Sequence, residues 1–544
     1  MPFCRECGGQ VEATWKFCPH CNSEQDSNVV IGNDSVHVGD ITVNKIDEIK
    51  QGLEEVLAGL GFTKDSSPTE LTSSQEKDVE QVLEISEQLA SHGIEIDPWT
   101  EITLGQAARL AGRTHSAQQH YLRALERFRK NGNRQGEAAS LGNLGTIANI
   151  RGDLAEAERL QRESLAINRE IGDRHGEGAS LGNLGRIANI RGDLAEAERL
   201  YRECMTIMRE VGDRGDEART LGSLGIIAGT RGDLAEAERL YRECLTITRE
   251  VGDRGVEART LAHLGTIARI RGDLVEAERL QRESLAIMRE IGDRHGEGDS
   301  LGNLGRIADR RGDLAEAERL HRESLDIKRE IGDRHGEGSS LNSLGGIAEM
   351  RGDLAGAERL QRESLAIMRE IGDRGGEALL LNNIGWIADL RGNLAEADRL
   401  YRESLTIMRE IGDRGGEALS LQNLATLAKT QGGLAEAERL YRESQVIRRE
   451  IGDREGEANS LLGLGNIATS RGDLAEAERL QREGLTIMRM IGNRSGEANS
   501  LHSLGQIMNL KGQYDEQRRM FTEAVRIRRE IGIPIDQWYI DNGY

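Results

Sequence analysis

The sequence predicts an all-α solenoid of about eleven helix–turn–helix units, with a small metal-stabilised module and a short β segment in front. Three observations predict it. Leucine returns at Leu141, Leu181, Leu221, Leu261, Leu301, Leu341, Leu381, Leu421, Leu461 and Leu501, a strict period of 40 residues. Within each period the apolar and small residues follow helical rather than alternating spacing. Of 544 residues, 37% are hydrophobic and only 3% aromatic, which suits a stack of thin amphipathic layers better than one large core.

Residues 1–25 carry Cys4-x2-Cys7-x10-Cys18-x2-Cys21. Two Cys-x2-Cys knuckles offer four thiolates, the ligand set of a tetrahedral Zn2+ site, with Gly or Pro beside each knuckle to turn the backbone under the metal. Four protein ligands fill the coordination shell, so the zinc is expected to be structural rather than catalytic. His20 falls inside the second knuckle and is not needed as a ligand. The segment resembles the short zinc ribbons at the front of many prokaryotic proteins. Arg5 and Lys16 are offset by Glu6 and Glu12, so the module reads as a folding staple or docking knob, with nucleic-acid contact the weaker reading.

Residues 26–44 alternate Val36, Val38, Ile41 and Val43 between Gly-containing turns, the pattern of short β-strands that must pair to be stable. Residues 45–62 form an amphipathic helix with Ile46, Ile49, Leu53, Val56 and Leu60 at 3-4 spacing. Together they suggest self-association through residues 28–62, against the competing reading that both pack on the first repeats. Residues 63–74 read as a linker. An amphipathic helix from Ser74 to His92 makes 75–95 an N-terminal capping segment, and Asp97-Pro98 starts the first, degenerate repeat.

The repeats occupy 96–540. In the unit 181–220, Leu181, Leu184, Gly185 and Ala188 share a face of a first helix, and Leu194, Ala197, Leu200, Tyr201, Cys204 and Met205 a face of a second. Between them stands Arg191-Gly192-Asp193. Gly suits the left-handed position past a helix end, and Asp is a preferred N-cap, so the tripeptide reads as a joint rather than an adhesion signal. Asn393, Gly433 and Gln513 replace the Asp elsewhere, as a joint tolerates. Gly145 and its equivalents fall inside a helix, which implies close approach of the neighbouring helix. Cys204 and Cys244 share the column of Ser164 and Ser284 and read as buried packing residues. The repeated acidic residues are expected on a solvated outer face. At the far end Pro534 breaks the pattern and IDQWYIDNGY is expected to cap the array.

These residues resemble the tetratricopeptide repeat (TPR). Leu181-x2-Leu184-Gly185-x2-Ala188-x8-Ala197-x3-Tyr201-x2-Cys204 follows its signature, with first-helix aromatics replaced by Leu and Ala. The resemblance implies a right-handed TPR solenoid. The usual unit is about 34 residues; the longer unit here is similar to those of kinesin light chains, spindle-orientation adaptors and prokaryotic signalling proteins. The proline that often closes a unit gives way to Ile171-Gly172-Asp173-Arg174 and its equivalents.

The resemblance also implies a concave surface of first helices that holds partner peptides. Positions three, six and ten of each unit lie opposite the packed leucines. Asn143, Asn183, Asn303, Asn383 and Asn423 occupy the third position, where an amide can bond an extended peptide backbone. Arg186, Arg269, Arg306 and Arg310 make the middle of the face basic; Trp386 is a candidate anchor and Asp389 follows it. The lysines of a chaperone-binding carboxylate clamp are missing.

A formal charge of −21 argues against nucleic acid as the main partner. No apolar run is long enough to span a membrane, and the N-terminus lacks the pattern of a secretory leader, so a cytoplasmic protein is expected. No phosphate loop, metalloprotease helix or nucleophile elbow occurs, and no catalytic cluster stands apart from the repeat. The expected function is therefore a non-enzymatic adaptor for a protein or peptide, with a self-assembling scaffold as the alternative.

Overall fold

The computed structural model describes residues 29–32, 35–38, 41–43, 46–62, 71–91, 93–535 and 537–542. The expected zinc ligands Cys4, Cys7, Cys18 and Cys21 lie outside the described residues. The chain divides into two compact units, Met1–Ile267 and Ala268–Tyr544. Among the described residues no helix is long and apolar enough to cross a membrane.

The first unit begins with three short strands, β1 (Val29–Gly32), β2 (Ser35–Val38) and β3 (Ile41–Val43), paired antiparallel in the order β1-β2-β3. Val30 stands opposite His37, and His37 opposite Thr42. Helices α1 (Ile46–Gly59), α2 (Ser73–Ser91) and α3 (Pro98–Leu110) follow. Ile49, Leu53 and Leu57 of α1 are buried in one core with Val79, Val82 and Leu89 of α2 and Leu104 of α3. Of the apolar stripe that the spacing left open to self-association or to packing on the first repeats, Ile49 and Leu53 are buried and Val56 and Leu60 partly buried against this core. Asp97 caps α3, its Oδ2 accepting from the amides of Trp99 at 2.8 Å and Thr100 at 3.2 Å.

The first repeat is degenerate for a visible reason. Glu101, 1% exposed, stands in the column held by Leu141 and needs partners there. His120 Nδ1 lies 2.6 Å from its Oε2 and Arg123 Nε donates to Oε1 at 3.0 Å. Burial works against the charge, but His120 and Arg123 outweigh it and hold the carboxyl below its ordinary pKa.

Later repeats are helical hairpins, illustrated by Arg174–Ile190 and Leu194–Val211. Each residue of the Arg191-Gly192-Asp193 joint has its own task. Gly192 takes φ 79°, which only glycine adopts freely. Asp193 Oδ1 accepts from the Glu196 amide at 3.1 Å and caps the second helix. Arg191 reaches back to the previous hairpin, pairing with Glu158 and donating to the Leu154 carbonyl at 2.9 Å. Where Asn393, Gly433 or Gln513 replaces Asp, no side-chain cap bond forms. Gly185 lies under a ring: a Cβ there would sit 3.0 Å from Tyr201 Cδ1.

One expectation is overturned. The Glu at the start of each first helix is buried rather than solvated: Glu177 is 6% exposed. Arg169 Nε donates to its Oε1 at 2.7 Å and Arg174 Nη1 to its Oε2 at 2.5 Å. The two guanidiniums extend further, Arg169 to Glu203 at 2.5 Å in the next second helix and Arg174 to Glu210 in its own hairpin. This carboxylate can be buried because two forked cations satisfy both its oxygens. On the outer side Arg202 pairs with Glu198 and Arg199 with Glu203, each four residues apart on one helix.

In the second unit the same hairpins run on from the helix Leu274–Ile291 to Tyr514–Glu530. A short helix, Gln537–Asp541, closes the end. Its Tyr539 is 1% exposed, packs with Phe521 and Val525, and bonds His502 Nδ1 at 2.5 Å.

Candidate functional site

Curvature within each unit follows from unequal helix contacts. In the first, α3 touches the first helix Arg134–Ile150, which touches Arg174–Ile190. In the second, Arg294–Arg310 touches Arg334–Met350, and Arg374–Leu390 touches Arg414–Thr430. Successive second helices are instead parted by clefts of about 460 to 680 Å3. A layer whose first helices close up and whose second helices spread bends toward its first helices. Within each unit, therefore, the first-helix face is the inner one.

In the first unit this face carries Asn143 and Asn183, both half-buried, and the exposed Arg186. Arg186 Nη2 lies 3.4 Å from Asn183 Oδ1. In the same column as the asparagines, His263 stacks on Tyr241 at 4.9 Å between ring centroids, and burial pushes its pKa down.

In the second unit Asn303 accepts from Arg306 at 2.5 Å. Asn383 Nδ2 donates to Asn342 Oδ1 at 3.1 Å, and Asn423 Nδ2 to Asn382 Oδ1 at 3.3 Å, so these amides link neighbouring first helices while staying half-buried. Asn342 and Asn382 have no warning in the spacing, because they sit one residue before the column that faces outward. Trp386 is 42% exposed, and its Nε1 donates to Glu349 Oε1 at 2.8 Å. Asp389 is half-buried on the same helix. The structure thus groups Asn383, Trp386 and Asp389 with Glu349, and separately Asn303 with Arg306 and Arg310.

Arg269, Arg306 and Arg310 differ from the repeat's recurring arginines. Arg289 and Arg294, for example, share Glu297 at 2.7 Å and through a second short bond. Burial and the nearby Arg306 and Arg310 push Arg269 below its ordinary pKa, and burial does the same to Arg306. Arg306 and Arg310 are exposed, and Arg269 is half-buried. Beneath Arg306, burial and that guanidinium hold His321 at about 4.

Other clusters have structural explanations. His175, Asp213 and Asp216 bring three potential metal-ligand atoms within 4.8 Å, but Asp213 caps a helix and Asp216 bonds Arg219 at 2.7 Å. Cys204 and Cys244 are buried free thiols whose pKa burial raises, and Cys244 donates to the Ala218 carbonyl at 3.2 Å as Ser164 does to Ala138 at 2.9 Å.

The Tetratricopeptide repeat family matches residues 96–170, 136–210, 176–250, 256–330, 337–410, 390–450, 416–490 and 456–530. No curated protein sequence matches the chain. Among solved structures it is similar to BtubC (BKLC) from P. vanneervenii, at 20% identity and TM-score 0.36, over 41% of this chain and 94% of that one. It is similar to the apo form of RapI at 16% identity and TM-score 0.43, over 51% and 99%. A signal-transduction ATPase of the STAND class with a tetratricopeptide repeat sensor, from Pyrococcus horikoshii, is similar at 14% identity and TM-score 0.46, over 82% and 65%. With most of its length matched by that one repeat signature, this chain belongs to the tetratricopeptide repeat family.

Proposed function

We propose that the chain is a non-enzymatic, cytoplasmic adaptor that holds a partner's peptide or domain on the first-helix face of its repeats. The observation that carries this reading is where near-identical copies differ. The positions that pack, cap and pair are kept from unit to unit, while the outward sixth position runs Thr146, Arg186, Ile226, Thr266, Arg306, Gly346 and then Trp386. A face needed only for solvation would have no reason to vary more than the outer face. Repeat arrays of this kind mediate protein–protein interaction by presenting such surfaces.

The test captures partners with the intact chain and with Asn183→Ala, Trp386→Ala and Asp389→Ala combined. Loss of a prey from the triple variant, with its helical circular dichroism unchanged, supports the adaptor. Identical prey on both baits, or recovery of more of the same chain alone, sinks it in favour of a self-assembling scaffold.

The N-terminal module is proposed to serve docking or oligomerisation around a structural Zn2+ held by Cys4, Cys7, Cys18 and Cys21. Elemental analysis should find about one zinc per chain and none after Cys18→Ser with Cys21→Ser; zinc retained by that variant rejects the assignment.

A further inference from the structure

Arg269, Arg306 and Arg310 form no ion pair with any described residue, whereas Arg289, Arg319, Arg334, Arg374 and Arg414, at recurring positions of the repeat in the second unit, are each tied to a glutamate. Arg306 and Arg310 stand one helical turn apart on Arg294–Arg310, a like-charge spacing that destabilises a helix. Arg269, on the neighbouring first helix, lies near enough for both to act on it, and its Nε is buried without a hydrogen-bond partner. Repeat copying does not account for the three together: the column of Arg269 holds Asn189, Gly229 and Asp309 and that of Arg310 holds Ile190, Ile270 and Leu390, while that of Arg306 holds Arg186 as well as Gly346 and Trp386. Asp309, beside Arg310, also has a buried oxygen without a partner, and Asp299, which acts on Arg306 from the same helix, is bonded to Lys328 at 2.5 Å.

From this juxtaposition we infer that the adaptor's ligand is an acidic peptide segment whose carboxylates seat on Arg269, Arg306 and Arg310. The inference rests on the adaptor reading and names the chemistry of its partner. Three forked cations offer bidentate sites for carboxylates in a setting that water only partly screens. A uniform polyanion fits less well, because Glu349 and Asp389 follow on the same face and the chain as a whole carries −21. A peptide can vary its charge along its length. Packed helices lie about 8–10 Å apart and an extended chain rises about 3.3 Å per residue, so each repeat spans roughly three ligand residues. The ligand is acidic opposite Arg306 and, roughly six residues away, carries an apolar or basic residue for Trp386 and Glu349. Asn303, bonded to Arg306, and Asn383 lie along that path.

The test selects a phage-displayed library of random peptides, about twelve residues long, on the full-length chain. Binding of the enriched peptides is then measured by fluorescence anisotropy. Two variants are compared: Arg269→Gln, Arg306→Gln, Arg310→Gln combined, and the same three positions changed to Lys as a charge-preserving control, both checked for helical content. The expected result is enrichment of Asp and Glu, binding that weakens with salt, a loss of about tenfold or more in the Gln variant, and a smaller loss in the Lys variant. Enriched peptides without acidic residues, or bound equally by the Gln variant, overturn this inference and leave the adaptor reading standing. No enriched peptide at all overturns both. A single-stranded oligothymidylate bound as tightly as the best peptide overturns the choice of a peptide in favour of a general polyanion.

Discussion

Gly225 and Gly229 are four residues apart in the helix Arg214–Thr230, and their surroundings differ sharply. A Cβ on Gly225 would meet Tyr241 Cε1 at 2.7 Å, whereas nothing lies within 4 Å of one on Gly229. Both changes to Ala remove the entropic penalty of a helical glycine, about 0.5–1 kcal/mol. Gly229→Ala should therefore stabilise its hairpin by roughly 0.5 kcal/mol, while Gly225→Ala forces the buried tyrosine aside at about 1–3 kcal/mol and destabilises on balance. Amide exchange of this hairpin reads both, and equal shifts of the same sign would refute the account. Glu177 gives a second test. Burial alone would raise its pKa, but Arg169 and Arg174 outweigh that and depress it, as their equivalents do for Glu137 and Glu297. A depressed folded-state pKa means stability that is complete above the unfolded value of about 4.3 and lost as pH falls through the lower folded value. Glu177→Gln should cost about 1 kcal/mol at neutral pH, the partners being half-exposed, and nothing once the pH has fallen below the depressed folded-state value. Parallel stability curves for variant and parent would contradict this. The glycine was legible in the sequence because a glycine inside a helix demands a reason. The buried glutamate was not, since its partners lie eight residues before it and three before it, on different elements.

The caps and joints of each hairpin follow from short-range chemistry, so helix bounds could be read closely from Gly, Asp and the leucine spacing. What spacing could not reveal was where an amphipathic face would be spent. The stripe of α1 is indistinguishable in sequence from a seam between chains, and only the positions of α2 and α3 show it covered from within. The same holds for gaps in the ion-pair network. Arg369 reaches Glu403 at 2.6 Å and Arg374 reaches Glu410 at 2.8 Å, fastening the helix Leu394–Ile411 at two points. In the helix Leu474–Met490, Met490 stands in the column of Glu410 and is 69% exposed. There Arg449 and Arg454 both turn to Glu457, at 2.8 and 2.5 Å. A cleft of about 680 Å3 opens beside this helix. We expect Leu474–Met490 to exchange its amides faster than Leu394–Ile411. Met490→Glu should slow it by about 0.5 kcal/mol at low salt and less at high salt. Equal rates in the two parent helices would show that these pairs contribute nothing.

Within each unit, the repeat was legible because its contacts are local, each hairpin packing on the next. The first-helix face can be read from the spacing, but its unpaired charges cannot: that Arg306 has no ion-pair partner among the described residues depends on every residue around it. Deleting residues 191–230, one period within the first unit, tests how local the contacts are. The deletion sets Arg231 where Arg191 stood, with Glu158 ready to receive it as Glu198 does now. The shortened chain should fold with helicity per residue unchanged and an undivided melt for that unit. A deletion ten residues shorter should unfold it, because every later arginine then faces the wrong column; the reverse order of stability would contradict the account. The consequence reaches beyond folding. Since every joint accepts the same neighbour, a misaligned exchange between two copies of the coding sequence yields a longer or shorter protein that still closes its bonds. The reach of its inner face can thus be adjusted in whole links over generations, while a single link, altered at a few outward positions, acquires a new preference without disturbing the rest.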